Sequence, residues 1–152
     1  MRVLITMVAL SSTAVLAAGS SAADGAARSK VHVIVTERGS SEPLPPRGRF
    51  VLTGAAGRDA GRTVIEPGPE GVRVSATELL YGKHGQLTLT LNGVRAVGRY
   101  GVNSLHGTWR VLAGFGTGMY KSWKGGGTWA ATENGNRYTL RFEGLITRTV
   151  TG

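Results

Sequence analysis

The chain contains no cysteine in its 152 residues. That absence excludes disulfides, thiolate metal sites, thiol catalysis and lipid attachment at an N-terminal cysteine, so any fold must be held by its own core. Acidic residues are few, nine against 18 lysines and arginines, and the formal charge is +9. Lysine is sparse, so arginine carries most of that charge. Helical periodicity is missing beyond the first two dozen residues, which argues against a helix bundle or an alternating α/β fold. After residue 18 no apolar run approaches the ~20 residues a membrane-spanning helix needs.

Glycine is abundant instead, at 24 residues, without the three-residue period of collagen. Together with frequent Val, Thr and Arg, this suits an all-β domain with many tight turns. The glycine, alanine and arginine usage also fits a GC-rich coding sequence.

The start of the chain reads as a secretory signal. Met1-Arg2 is followed by an apolar stretch from Val3 to Ala18 and a small-residue exit, Gly19-Ser20-Ser21-Ala22-Ala23. Cleavage after Ala23 is expected, with residues 24–29 a disordered mature terminus and residues 30–152 one domain. The stretch is interrupted by Ser11-Ser12-Thr13; the other reading is a retained anchor. The mature protein is expected to be secreted, with no membrane span. Without Arg2 it has 17 basic and nine acidic residues, a charge of +8. Such a balance favours anionic partners such as an envelope polysaccharide. Nucleic acid is not expected, because an exported protein rarely meets it and the arginines are scattered singly along the chain.

Alternation marks the strands. Lys30 to Arg38 sets Val31, Val33 and Val35 on one face; Arg49 to Gly54, Arg62 to Ile65 and Val72 to Leu80 follow, separated by Gly- and Pro-rich turns. Gln86 to Leu91 turns Leu87, Leu89 and Leu91 inward. Asn92-Gly93 predicts a type I′ hairpin into Val94 to Gly98, and Arg99 to His106 reads as an irregular loop. Two Gly-Thr-Trp triplets, at 107–109 and 127–129, each read as the start of a strand. At the end of the chain, Asn134-Gly135 as a two-residue loop pairs Trp129 with Leu140, Ala131 with Tyr138 and Gly127 with Phe142. About eight short, regularly spaced strands predict an antiparallel, calycin-like β-barrel, closed because closure removes exposed edges. Trp109, Trp129, Tyr138, Leu140 and Phe142, with the three leucines, are its expected interior.

The corner Gly114-Phe115-Gly116-Thr117-Gly118-Met119-Tyr120, followed by Gly125-Gly126-Gly127, resembles a motif of the dirigent and allene oxide cyclase type barrels. The likeness runs from Leu105 to Thr147. It is also similar to a group of small secreted bacterial β-proteins that share this corner and carry no assigned activity. The resemblance implies a barrel that holds a small hydrophobic molecule, and as an alternative function an isomerase or cyclase. No acidic residue here sits in a motif matching the polar pocket residues of those barrels, so no residue inherits a catalytic role.

Candidate chemistry is thin. Gly114 to Ser122 has the glycines and the Lys121-Ser122 of a phosphate loop, but Tyr120 stands where that loop needs glycine and no β-α unit surrounds it. Tyr120 and Trp123, flanked by Lys121 and Lys124, form either an aromatic and cationic ligand-binding rim at a barrel mouth or an inward plug over a barrel end; the plug is favoured. His32, His84 and His106 are scattered, so no metal site or cofactor is implied. A pair among Glu37, Glu78, Glu143 and Asp59 inside a barrel would suit acid and base work; as surface groups they would balance arginines. Binding of a small apolar ligand or an anionic envelope polymer, without catalysis, is the leading expectation.

Overall fold

The computed structural model describes residues 28–69 and 71–149; the expected leader, residues 1–23, lies outside them. Eight strands are present: β1 (Arg28–Ser40), β2 (Arg47–Gly54), β3 (Asp59–Pro67), β4 (Arg73–Gly82), β5 (Gly85–Val97), β6 (Val102–Val111), β7 (Lys124–Asn134) and β8 (Arg137–Thr149). Each is antiparallel to the next, and β8 returns to β1, so the sheet is a closed up-and-down barrel, as the alternation predicts. The closing seam runs from Arg28↔Thr149 to Ser40↔Arg137. Closure leaves no strand with an unpaired edge.

Parity along each strand decides what faces inward. Val33, Val35, Phe50, Leu52, Leu80, the three leucines of β5, Trp109, Phe142 and Ile146 are all buried. Outward positions are mostly polar: Arg38 stands opposite Arg49, and Arg49 opposite Arg62, on neighbouring strands. This is the reverse of a lipid-spanning barrel, whose apolar band faces out.

Three local expectations are corrected. Asn92-Gly93 is no hairpin turn: β5 continues unbroken to Val97, a short 3₁₀ turn at Arg99–Gly101 makes the reversal, and Val102 to His106 belong to β6. Gly93 is needed for a different reason. A Cβ there would strike the carbonyl of His106 and come within 2.7 Å of the Trp129 ring. The final hairpin keeps its sorting of faces but not its partners. Its loop is Gly135-Asn136, so Trp129 meets Phe142, Ala131 meets Leu140 and Gly127 meets Gly144. Gly135 has φ 58°, whereas no positive φ occurs at Asn136, which fits a type II′ turn with glycine first.

The third correction concerns the Gly-Thr-Trp triplets, which lie in mid-strand. They face each other in reverse order, Gly107↔Trp129 and Trp109↔Gly127. Each indole therefore finds a bare backbone beside it. Trp129 Nε1 donates to the carbonyls of Asn92 (3.3 Å) and Thr108 (3.1 Å), and Trp109 Nε1 to that of Glu143 (3.3 Å). A buried indole thus keeps its polar atom satisfied while its ring fills the core.

One end of the barrel is sealed. The chain between β6 and β7 folds back so that Tyr120 and Trp123 are 1% and 3% exposed, their rings edge to face at 4.7 Å. Tyr120 Oη donates to Asp59 Oδ2 at 2.6 Å, and Asp59 also accepts from the amides of Ala60, Lys83 and His84. One carboxylate at the start of β3 thereby ties three loops together. Burial pushes its pKa up, but these hydrogen bonds outweigh that and hold it below the ordinary 3.8.

Candidate ligand-binding site

The other end is open. There the interior side chains shorten, to Ala76, Val74 and Ala131, and a cavity of about 710 Å³ opens between the strand ends. That volume lies within the range of small-molecule sites. Its walls are mostly apolar, with Ile65, Leu91, Leu105, Trp129 and Leu140 among them, and Tyr138 stands beside these at the floor. The interior beneath the Tyr120–Trp123 plug is filled and the opposite half is hollow.

The floor is polar underneath. Glu37, Glu78 and Thr63 are almost wholly buried, at 0%, 0% and 1%. Tyr138 Oη donates to Glu37 Oε1 at 2.5 Å, and Thr63 Oγ1 donates to the same oxygen. Gly39 and Gly48, paired across β1 and β2, make room for the phenol; a Cβ on Gly48 would come within 2.8 Å of the hydroxyl. Were both carboxyls ionised, Glu37 Oε2 and both oxygens of Glu78 would be buried with no donor. A proton on Glu78 removes one of the two charges and supplies one donor. Burial, the hydrogen bond to Glu37 and the charge of Glu37 all push the Glu78 pKa well above the ordinary range. The phenol of Tyr138 is likewise pushed up, first by burial and then by the neighbouring Glu37.

At the mouth, Arg95 and Glu133 both point inward and meet at 3.5 Å while remaining partly in water. A half-solvated pair of this kind adds little stability. It does place one cation and one anion where an entering molecule passes.

The aromatic pair singled out from the sequence lies elsewhere. Tyr120 and Trp123 form the plug of the sealed end, with no ring face left open for stacking, and Lys121 and Lys124 are exposed on the outside of that end. Glu143 is a surface group, 3.2 Å from both His32 and Arg141. Glu37 and Glu78, read from the sequence as either interior or surface groups, are inside. Their signal was parity: Glu37 continues the inward series Val33, Val35, and Glu78 sits between Ala76 and Leu80. Thr63 and Tyr138 complete the cluster through cross-strand packing, which no linear motif records.

Comparison with family models, curated proteins and solved structures finds no match to this chain.

Proposed function

We propose that this is an exported binding protein that holds a small apolar molecule in the open half of its barrel. The observation that carries the reading is the cavity of about 710 Å³, walled by aliphatic and aromatic side chains above a buried, hydrogen-bonded floor. Such an interior excludes charged guests, because desolvating an unpaired charge costs far more than apolar contacts return. The apolar opening of the chain and its small-residue exit support export.

The test uses a neutral apolar fluorophore, N-phenyl-1-naphthylamine, and a panel of hydrophobic small molecules. Bound ligand is expected to quench Trp129, which lines the cavity, and to raise the melting temperature. Saturation at about 100 times Kd adds about 2.7 kcal/mol, several degrees for a domain of this size. Ala131→Trp, which sets a second indole into the cavity, is expected to weaken both effects while the barrel stays closed. Absence of quenching and of any thermal shift across the panel would remove the basis of the proposal.

A second reading rests on the Glu37–Glu78 pair. Two carboxyls sharing a proton beside an apolar cavity are suited to move a proton on a bound molecule, as the likeness to the dirigent and allene oxide cyclase barrels suggests for an isomerase or cyclase. Tyr138 covers Glu37, so a ligand must displace the phenol to reach the acid. Solvent deuterium entering a cavity ligand, lost in Glu37→Gln and Glu78→Gln, would favour turnover over storage.

A further inference from the structure

We propose that the open end of the barrel is a docking face for anionic lipid bilayers, with the cavity mouth resting on the headgroups. The four most exposed large apolar side chains of the described residues all stand at this end: Tyr100 (98%), Val97 (85%), Leu44 (74%) and Val72 (73%). They occupy three of the four loops that ring the mouth. Three of them, Leu44, Val72 and Val97, also line the cavity, so apolar side chains reach from the loop tips to the cavity wall. Tyr100 is the one described non-glycine residue with positive φ, at 60°, and it has no neighbour to pack on. A strained backbone that holds an aromatic ring out in water has no use within the fold itself.

Charge selects the partner. Arg47, Arg73 and Arg137 begin their strands at this rim, and Arg99 sits in the turn beside Tyr100; none has a carboxylate partner among the described residues. Among the described residues Glu42 and Glu66 are the opposing acids there, since Glu133 is taken by Arg95. Apolar tips interleaved with unpaired arginines match an anionic interface, where the ring and aliphatic groups enter the headgroup layer and the guanidinium groups meet phosphate. A second copy packed mouth to mouth would set these arginines against their own images. A soluble polyanion would use the arginines and leave the apolar tips in water.

The experiment takes the chain from Asp24 onward, which holds every strand of the closed barrel and lacks the apolar leader that would bind lipid by itself. Flotation is measured with phosphatidylcholine vesicles, with and without one third phosphatidylglycerol. Binding to the anionic vesicles is expected, weakened but not abolished by salt. Val97→Ser with Tyr100→Ser, which changes no charge, is expected to reduce partitioning about tenfold or more, since each buried methylene contributes about 0.8 kcal/mol. Phe115→Ser at the sealed end serves as the control and is expected to leave it unchanged. Equal binding by the double variant, equal binding to neutral vesicles, or a wild-type dimer that the double substitution dissolves in place of vesicle binding would overturn the proposal. Naphthylamine binding without vesicles reports the cavity alone, so the docking face and the apolar-ligand reading can fail separately.

Discussion

Glu78 shows how a single buried proton couples this fold to pH. Its pKa in the folded barrel is raised above the ordinary 4.5, so above that pH the folded state holds a proton that the unfolded chain releases. The stability this contributes is fully present below 4.5 and is lost as pH rises through the folded value, at up to about 1.4 kcal/mol per pH unit. Denaturant titrations across pH are expected to show this decline, and Glu78→Gln to flatten it and be the more stable form at alkaline pH. Parallel curves for the two proteins would mean that the pair shares no proton. Asp59 acts in the opposite direction: its lowered pKa gives stability present above 3.8 and lost as pH falls through the folded value. Both acids were legible only in part. Inward parity marks Glu37 and Glu78 in the sequence, but a carboxylate at an inward position reads equally as a surface group until the strands close around it. The four acceptor bonds of Asp59 come from three separate segments, which no local pattern ties together.

Among the elements, β6 and β7 carry the device that lets two tryptophans fit a narrow barrel. The reversed Gly-Thr-Trp triplets set each indole beside a glycine of the facing strand, with Gly93 and Gly144 completing the seats. Gly93→Ala forces a methyl group against the His106 carbonyl and the Trp129 ring and is expected to cost about 1–3 kcal/mol, read as a lower denaturation midpoint. The triplets were visible in the sequence; their pairing was not. Asn92-Gly93 carries the composition of a turn, and only the ring lying over it shows that the glycine clears space in a continuous strand. The last hairpin was misread by two residues for a related reason, since a shift of two leaves every side chain on its own face and alternation cannot detect it. At the sealed end, Tyr120→Phe removes the hydrogen bond to Asp59 and is expected to cost about 1.5–3 kcal/mol, as for a bond to a charged group. The loss should show as faster hydrogen exchange at Thr117 and Met119, whose amides bond to Gln86 and His84.

For the molecule as a whole, the division of the interior is the organising fact. Large side chains pack the half nearest the plug, and the half near the mouth is left hollow, so rigidity and capacity are separated along one axis. Alternation in the sequence foretold the shell and most of its lining. It could not foretell the hollow, because whether inward side chains fill a barrel depends on strand tilt and on which small residues line the interior, here Ala76 and Ala131. The naphthylamine and vesicle experiments address that level directly, one testing the hollow and the other its rim.

The seam between β1 and β8 has one more effect. It brings Arg28 and Thr149 together at the plugged pole, so both ends of the described barrel lie on the side away from its aperture. A tag or tether joined directly at Arg28 or Thr149 starts from the pole opposite the aperture, and trimming either terminal strand would unzip the cylinder along its length.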